Sequence, residues 1–390
     1  MEFQHLNGSV RTSVCTGNMP DQYTIVYFQQ NAAWGAAEEY LALLISGLDK
    51  SRFRPILLCP NADQCRPLIS ACRAYADIKC YHDSGKSTLI KLYSYFRSIR
   101  ADIIHFNDPA LKGIVAARLA GCANLVMTFH TPALPWRYSW KGRLMRKLAF
   151  RGRIHVIALS PTNRQLLIDR HGFVADQITV IPCGLNPAKF RGPFEKAEIR
   201  YELGVPENKT LLVSVGRLVP QKAQHVLIEA LSCLPADFLD KVCLLIVGEG
   251  QLREKLQHII DARKLQHVVR LVGHRVDVPR LLSASDIFVL PSLFEGLPFA
   301  MLEAMAMGKP IIASAVEGIK DILEHNRTGL LVPPGDSTQL NTAVVKLQSD
   351  KALAQRLGEA ARREFEACYV QDVMVSRMMH LYERLLGCSA

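Results

Sequence analysis

The chain has 390 residues, of which 49% are hydrophobic and 21% charged, and its formal net charge is +11. This length suits two domains and is too long for one ordinary domain. No apolar run reaches the roughly 18–20 residues of a membrane-spanning helix, and the eleven cysteines form no CxxC pair or zinc-type cluster. The composition therefore argues against a membrane-spanning, disulfide-stapled or zinc-binding protein, and predicts a cytoplasmic protein without a metal or cofactor.

Positive charge is concentrated in the first half of the chain. Residues 1–187 contain 22 Lys and Arg against 12 Asp and Glu, whereas residues 188–390 contain 25 against 24. This asymmetry predicts that the first half meets an anionic partner. Residues 1–22 are polar and lack an apolar stretch, so we expect them to form a flexible leader.

From Tyr23 onward, short apolar runs alternate with amphipathic segments of helical length. The predicted strands are 23–28, 54–59, 101–106, 124–129, 153–160 and 178–182, followed by 211–216, 242–248, 268–273, 287–292, 310–314 and 329–333. Apolar strands that alternate with helices predict parallel sheets covered on both faces. We therefore predict an α/β fold with two doubly wound domains, each with a ligand crevice at the carboxyl ends of its strands.

The domain boundary is predicted in a segment rich in Pro, Gly and charge that follows Pro182. The predicted division is an N-terminal domain at 23–187, a C-terminal domain at 188–369 and a final helix within 370–390. After Pro334 the pattern is helical, with Asp336 and Ser337 as candidate N-caps.

The strongest motif is the segment from Glu295 to Glu303, which directly follows a predicted strand. Pro298 is expected in the first turn of the next helix, where proline is tolerated. The free amides and positive dipole end of that helix would face the crevice and suit a phosphate. A helix-capping carboxylate together with a solvated helix glutamate is the simpler interpretation, but Glu303 lies in an almost wholly apolar helix and needs a polar partner.

The second motif is GRLVPQK, from Gly216 to Lys222, at the end of another predicted strand. Its glycine lets the backbone approach a ligand, and Arg217 and Lys222 place two cations over the same crevice. Fixed cations stabilise a departing diphosphate more in the transition state than in the ground state. Two solvated loop cations are the alternative interpretation.

Two weaker candidates lie in the first half. Gly35 precedes a predicted helix and would let its loop pass close to a sugar or a pyrophosphate. His130 ends the strand at 124–129, at the edge of the sheet where ligands bind. Either residue could instead have a purely structural role, as a turn glycine or a hydrogen-bonded strand-end histidine.

A basic segment at 136–153 combines seven Lys and Arg with aromatic residues. It predicts either docking on an anionic membrane or a solvated helix face, and nucleic-acid binding is disfavoured. Its candidate membrane or acceptor residues are Trp136, Arg137, Trp140, Lys141, Arg143, Arg146 and Lys147.

Two other motifs are incomplete. HDSGKST at 82–88 resembles the tail of a P-loop, but its first glycine is replaced by Cys80 and no buried strand is predicted before it. GEGQLR at 248–253 lacks the third glycine of a dinucleotide fingerprint. Neither a kinase nor a dehydrogenase is therefore predicted.

Taken together, these motifs resemble the retaining glycosyltransferases commonly called family 4, which include sucrose-phosphate synthases and bacterial mannosyl- and glucosyltransferases. The segment 295–314 matches the family's glutamate motif almost letter for letter. GRLVPQKAQHVLIEA, IVGEGQLREKL and IPCGLNPAKF are similar to three further family motifs. Ala36 replaces the second glycine of the family's Gly-Gly-Ala-Glu loop, which puts the donor contact of that loop in doubt, and Asn186 replaces its hinge aspartate.

The resemblance implies a GT-B fold, in which two Rossmann-like domains face each other across a cleft and the last helix crosses back to the first domain. It also implies a retaining enzyme that transfers a sugar from a UDP- or GDP-linked donor to a lipid-linked or saccharide acceptor. Attack would be on the front face without a metal, and the enzyme would be cytoplasmic or peripheral on the inner face of the membrane. The alternatives are a non-catalytic nucleotide-sugar-binding or membrane-scaffold protein, a nucleotide-sugar epimerase and a phosphorylase.

Residue roles follow from the same resemblance. Arg217 and Lys222 would bind the diphosphate, Glu303 the ribose, and Glu295 and His130 the transferred sugar. The remaining implied donor contacts are Gly35, Gly216, the backbone at Leu297, Pro298 and Phe299, and Arg275 and Val276 beside the base. Pro298 itself has no amide hydrogen to donate.

Overall fold

The computed structural model describes residues 22–30, 35–61, 63–82, 87–130 and 154–388. Within these ranges the chain forms two fully parallel sheets flanked by helices, which confirms the predicted pair of doubly wound α/β domains. The strands are β1 (Tyr23–Phe28), β2 (Phe53–Pro60), β3 (Asp77–Tyr81), β4 (Ile103–Phe106), β5 (Asn124–Phe129), β6 (Ile154–Ala158), β7 (Ile178–Val180), β8 (Thr210–Val215), β9 (Val242–Val247), β10 (Val269–Gly273), β11 (Ile287–Leu290), β12 (Ile311–Ser314) and β13 (Leu330–Val332).

The helices cover both faces of the sheets. They are α1 (Ala36–Gly47), α2 (Arg66–Cys72), α3 (Ser87–Ile99), α4 (Leu111–Leu119), α5 (Pro161–His171), α6 (Lys196–Glu202), α7 (Gln224–Ser232), α8 (Ala236–Leu239), α9 (Arg253–Ala262), α10 (Val278–Ala284), α11 (Phe299–Ala306), α12 (Ser337–Ser349), α13 (Lys351–Cys368) and α14 (Gln371–Leu386). The predicted N-cap Asp336 is confirmed, because its carboxylate accepts from the amide of Gln339 at 2.9 Å. No helix in the described ranges is both long enough and apolar enough to span a bilayer.

The order of the strands in each sheet shows where the two predicted crevices lie. The first sheet runs β3-β2-β1-β4-β5-β6-β7 and the second β10-β9-β8-β11-β12-β13. The order therefore reverses between β1 and β4 and again between β8 and β11, which are paired neighbours. Ligands of such sheets bind where the order reverses, beyond the carboxyl ends of the strands.

One strand was not predicted from the sequence. Strand β3 lies at the edge of the first sheet and pairs with β2. Most of its side chains are exposed or half-buried, so it lacks the apolar run that reveals a central strand. It leads toward the P-loop-like segment, of which residues 83–86 lie outside the described ranges. Because it is an exposed edge strand and Cys80 still occupies the glycine position, the kinase interpretation gains no support.

The last helix returns to the first domain, as predicted. The amide of Leu185 donates to the carbonyl of Tyr369 at 2.8 Å, so the two segments that cross between the domains run side by side. Beyond this crossing, the hydroxyl of Tyr382 on α14 makes buried hydrogen bonds with His105 Nδ1 at 2.6 Å and with the hydroxyl of Tyr27 at 3.1 Å. Helix α14 is therefore part of the core of the N-terminal domain.

Candidate active site

Lys222 and Glu295 meet at the carboxyl ends of β8 and β11. Lys222 ends a short 3-10 turn after β8, and its Nζ lies 2.5 Å from Oε1 of Glu295. The hydroxyl of Ser292 donates to the same oxygen at 2.6 Å. The exposed fractions of the two side chains are 15% and 5%, so this is a largely buried ion pair. The sequence predicted that both residues bind donor, whereas the structure shows them bound to each other.

Arg217 is the second cation of this turn, and the Lys222–Glu295 ion pair does not neutralise it. It is exposed, and its guanidinium makes no hydrogen bond or ion pair with any residue in the described ranges. Its carbonyl is held by Nε2 of Gln224 at 3.0 Å. The turn after β8 therefore presents one compensated cation, Lys222, and one free cation, Arg217.

Two glycines of the GEG segment shape the turn that carries Arg217. A Cβ atom on Gly248 would lie 2.0 Å from the carbonyl oxygen of Gly216, and one on Gly250 would lie 2.5 Å from that of Leu218. Both glycines also have positive φ angles, of 140° and 157°, which other residues rarely adopt. Family resemblance marked this segment in the sequence, but only the structure shows that it packs against the turn.

The start of helix α11 lies beside Glu295. Pro298 is its N-cap residue, one position earlier than the first-turn place predicted for it, and no side chain caps the helix. The first amides of α11 thus remain available for a ligand, and Leu297 and Phe299 are half-buried on either side of the proline. This geometry suits an anion at the helix start.

Gly318 packs directly over the same loop. A Cβ atom at this position would lie 2.6 Å and 2.3 Å from the carbonyl oxygens of Glu295 and Gly296, and its φ angle is +82°. No sequence motif had drawn attention to Gly318, because its role depends on a contact with a loop more than twenty residues away.

Glu303 lies on α11 in the first turns beyond this loop. It is half-buried, and no described residue hydrogen-bonds or ion-pairs with its carboxylate. Burial raises the pKa of Glu303 to about 7, with Glu39 adding to the rise and Lys189 opposing it. Lys189 itself bridges to Glu39 on α1 at 2.7 Å. The partner that the sequence required for Glu303 is therefore not supplied by the described protein residues.

His130 faces these elements from the end of β5. Its Nε2 lies 3.1 Å from Oδ1 of Asn107, and its ring makes an edge contact with Tyr40 at 4.9 Å between centroids. Burial lowers the pKa of His130 to about 4, so the imidazole is neutral near pH 7. A Cβ atom on Gly296 would lie 3.2 Å from the carbonyl oxygen of His130, which shows how closely the two domains approach here.

A cavity of about 630 Å³ lies between the domains and is lined by His130 on one side and Glu295 on the other. The first domain also contributes Thr162, whose hydroxyl and amide bind the carboxylate of Asp321 at 2.8 Å and 3.1 Å. This volume is typical of small-molecule sites. The residues that line this cleft follow five separate strands, β5, β6, β8, β11 and β12.

The other predicted residues are less closely connected with this cleft. Arg275 makes a two-pronged ion pair with Asp277, at 2.8 Å and 2.6 Å, and Val276 is 91% exposed. Gly35 precedes α1 in an extended conformation that any residue adopts, with open space around it apart from Glu38. Ala36 simply begins the helix, so the loss of the family's second glycine causes no backbone strain there. The basic segment 136–153 lies outside the described residues.

No group of three or more His, Cys, Asp or Glu side chains within the described ranges is arranged to hold a metal ion.

Comparison with known proteins places this arrangement among sugar-transferring enzymes. The sequence model described as Glycosyl transferases group 1 matches residues 195–364, and the one described as Glycosyltransferase Family 4 matches residues 37–189. The chain is 31% identical to an Escherichia coli UDP-Gal:alpha-D-GlcNAc-diphosphoundecaprenol alpha-1,3-galactosyltransferase, over 68% of this chain and 71% of that protein. It is 29% identical to a Mycobacterium tuberculosis GDP-mannose-dependent alpha-(1-6)-phosphatidylinositol monomannoside mannosyltransferase, over 71% and 74% of the two chains.

Solved structures share the same fold. HepE of Anabaena, crystallised with UDP and glucose, superposes with a TM-score of 0.80 at 23% identity, covering 93% of this chain and 100% of HepE. Sucrose-phosphate synthase of Thermosynechococcus elongatus gives 0.73 at 22% identity, covering 94% and 100%. These likenesses confirm the predicted GT-B arrangement of the two domains.

Proposed function

This chain belongs to the group 1 glycosyltransferases, and on that premise we propose that it is a retaining enzyme using a UDP- or GDP-linked sugar. The observation that carries the proposal is the Lys222–Glu295 ion pair beside a cavity that Glu295 and His130 line from the two domains, with Arg217 unpaired among the described residues in the turn after β8. A free cation and uncapped helix amides on one side suit a diphosphate. A neutral imidazole and a carboxylate suit the hydroxyls of a sugar.

The donor would lie with its diphosphate over the turn after β8 and the start of α11. Arg217 would supply an uncompensated positive charge. Its stabilising effect increases as the sugar–phosphate bond breaks, because negative charge then develops on the diphosphate. Lys222 would turn from Glu295 toward the phosphate, or share its three hydrogens between them. Oε2 of Glu295, which has no partner among the described residues, remains free to accept a sugar hydroxyl.

The proposed reaction needs no protein nucleophile. The bond between the anomeric carbon and the phosphate oxygen breaks, and the acceptor oxygen forms its bond to that carbon on the same face. The acceptor's proton passes to an oxygen of the departing diphosphate, so charge and atoms balance. The protein's part is to hold the donor, stabilise the departing charge and exclude water. We propose that Glu303 holds the ribose, that the base lies near Arg275 and Val276, and that no metal is required.

The activities of two relatives support a lipid-linked acceptor. The E. coli relative acts on a diphosphoundecaprenol-linked sugar, and the mycobacterial relative on a phosphatidylinositol mannoside. One uses UDP-galactose and the other GDP-mannose, so both nucleotides remain within the proposal. We place the enzyme at the inner face of the membrane, with the basic segment 136–153 against anionic lipid.

The donor is tested by thermal stabilisation with a panel of UDP- and GDP-sugars, because a ligand that binds the folded state raises its stability by mass action. The stabilising donor is then supplied with lipid-linked and free saccharide acceptors in the presence of EDTA. Product with the donor's anomeric configuration is expected. Inverted product or a strict metal requirement would contradict the mechanism, acceptor-free conversion of the donor would indicate an epimerase, and donor binding without transfer would indicate a binding protein.

The membrane placement is tested by sedimentation with anionic vesicles. Arg143→Ala/Lys147→Ala should weaken binding, whereas Lys255→Ala/Arg263→Ala, which removes the same charge from exposed positions on α9 and at its C-cap, should not. Wild-type binding should also fall as salt is raised. Equal loss in both variants would indicate a general charge effect, and absence of binding at low salt would end the membrane proposal.

A further inference from the structure

A chain of buried side chains leads from helix α1 to His130. Glu38 Oε1 accepts from Gln29 Nε2 at 2.7 Å, and Gln29 Oε1 accepts from Asn107 Nδ2 at 2.8 Å. Asn107 Oδ1 then lies 3.1 Å from Nε2 of His130. Glu38 is 5% exposed, and Gln29 and Asn107 are fully buried. Buried polar groups of this kind hold a fixed pattern of donors and acceptors, because an unmatched contact is costly.

One backbone carbonyl determines which atoms donate and which accept in this series of hydrogen bonds. Nδ2 of Asn107 also donates to the carbonyl oxygen of Ala37 at 3.0 Å. A carbonyl oxygen accepts and never donates, so the atom of Asn107 that faces it must be the amide nitrogen. Oδ1 of Asn107 is therefore the atom that faces His130.

The protonation state of His130 follows. Because Oδ1 of Asn107 is an acceptor, Nε2 of His130 must carry the ring hydrogen. Burial lowers the pKa of His130 to about 4, although the backbone carbonyl of Asn107 opposes this. The neutral ring then leaves Nδ1 without a hydrogen.

Nδ1 is the atom of His130 that can meet a ligand. Nε2 is engaged by Asn107, and no other side chain in the part of the chain that the structure describes hydrogen-bonds the ring, which leaves Nδ1 for a ligand. His130 also lines the cavity between the domains. A bare imidazole nitrogen accepts from a hydroxyl and repels an anionic oxygen.

We propose that Asn107, oriented by the Ala37 carbonyl and supported by Gln29 and Glu38, is a positioning residue that holds His130 as the Nε2–H tautomer and aims the bare Nδ1 at a hydroxyl of the transferred sugar. The part concerning the sugar rests on the proposed function, whereas the tautomer does not. The arrangement also orients the donor, because the sugar rather than the diphosphate must face His130.

The tautomer is measured directly by nitrogen NMR of the protein labelled with ¹⁵N-histidine, with the His130 signals identified from their loss in His130→Gln. Protonated and bare ring nitrogens have well-separated shifts, so the wild-type spectrum decides the question without any activity assay. A hydrogen on Nε2 is expected between pH 6 and 8. A hydrogen on Nδ1 would overturn the proposal.

Three variants test whether Asn107 determines the tautomer of His130. Asn107→Leu should give mixed tautomers and lower kcat by about 10–100-fold, as loss of a supporting partner often does, with a smaller change in the donor KM. Asn124→Leu removes an asparagine at the start of β5, the strand that leads to His130, where its amide bonds the backbone carbonyl of Asp102 at 3.2 Å, and should leave the tautomer unchanged. Glu38→Gln should also keep the Nε2–H form, because the Ala37 carbonyl still orients Asn107.

The outcomes separate the two proposals. An unchanged tautomer in Asn107→Leu, or a reversed one in Glu38→Gln, would overturn the positioning role while leaving the glycosyltransferase mechanism intact. The expected tautomers without transfer from any sugar donor would leave the positioning role intact and refute the proposed donor chemistry. If Asn107→Leu does not fold, the wild-type and Glu38→Gln spectra still test the tautomer and its anchor.

Discussion

Replacing Glu303 by glutamine should stabilise the protein at pH 8 and weaken donor binding at the same time. The carboxylate is half-buried, lies near Glu39 and has no hydrogen-bond partner among the described residues. Burial raises its pKa from 4.5 to about 7, so the folded protein binds this proton more tightly than the unfolded chain does. The stability that protonation provides is therefore complete below pH 4.5 and is lost as the pH rises through 7.

The size of the effect follows from that rise. At about 1.36 kcal/mol per pKa unit, ionised Glu303 costs the fold up to ~3.4 kcal/mol above pH 7. Because the side chain is only half-buried, solvent screening reduces this figure, and we expect about 1–3 kcal/mol. Glutamine has nearly the same shape and cannot ionise, so it removes the cost at pH 8 and changes little near pH 4.5.

Urea unfolding at pH 4.5 and pH 8 measures the difference. Glu359→Gln, the same substitution at an exposed helical position of the same domain, is the matched control and should change stability by no more than about 0.5 kcal/mol at either pH. Donor affinity, measured by titration calorimetry, should fall by about tenfold in Glu303→Gln because one charged acceptor of the ribose hydroxyls is lost. A variant that is less stable than wild type at pH 8, or equally affected at both pH values, would refute the argument.

Three further predictions concern the Lys222–Glu295 pair, Gly318 and two buried histidines. Lys222→Ala should lower kcat/KM by a factor that corresponds to about 2–4 kcal/mol of transition-state stabilisation. A double-mutant cycle with Glu295→Ala should show that the two losses do not add, since the residues are paired; additive losses would mean that Lys222 and Glu295 act independently of each other. Gly318→Ala should reduce donor binding and should destabilise the protein more than Gly121→Ala does. Both glycines have a φ of +82°, but only at Gly318 would the added Cβ lie 2.3 Å from a carbonyl oxygen. Equal losses of stability in calorimetry would show that backbone strain alone matters. Burial lowers the pKa of His130 and His155 to about 4, so their contribution to stability is complete above pH 6.5 and should fall by up to ~1.4 kcal/mol per pH unit for each as the pH drops toward 4. Urea midpoints that fall as steeply with pH in His130→Gln as in the wild type would argue against the burial of His130.

The sequence predicted the fold well because both sheets are built from buried parallel strands. Such strands appear as continuous apolar runs, and their alternation with helices leaves few topologies. The edge strand β3 escaped prediction for the opposite reason, since its side chains face water and carry no apolar pattern. The placement of α14 against the first domain came from family resemblance, and nothing in its own periodicity indicates that Tyr382 bonds His105.

The sequence could predict those residues of the candidate site that directly follow a strand. Strands β8 and β11 are neighbours in a doubly wound sheet, which brings the loops of Lys222 and Glu295 together. Their mutual ion pair was not predicted, because each residue was assigned a contact with ligand. Asn107 and Gly318 were missed for a different reason. Their roles depend on contacts with distant segments, and an isolated asparagine or glycine carries no periodic signal.

The ion pair changes how the charge of the donor site is understood. With Lys222 neutralised by Glu295, the turn after β8 presents a single net positive charge, on Arg217, to an incoming donor of charge about −2. A diphosphate that attracts Lys222 would release Glu295, whose carboxylate would then seek a hydroxyl on the sugar. Binding of the phosphate and engagement of the sugar would thus be coupled through one exchange of partners. This coupling would explain why two residues of opposite charge, 73 positions apart, are brought together in a site that must hold an anion and a sugar at once.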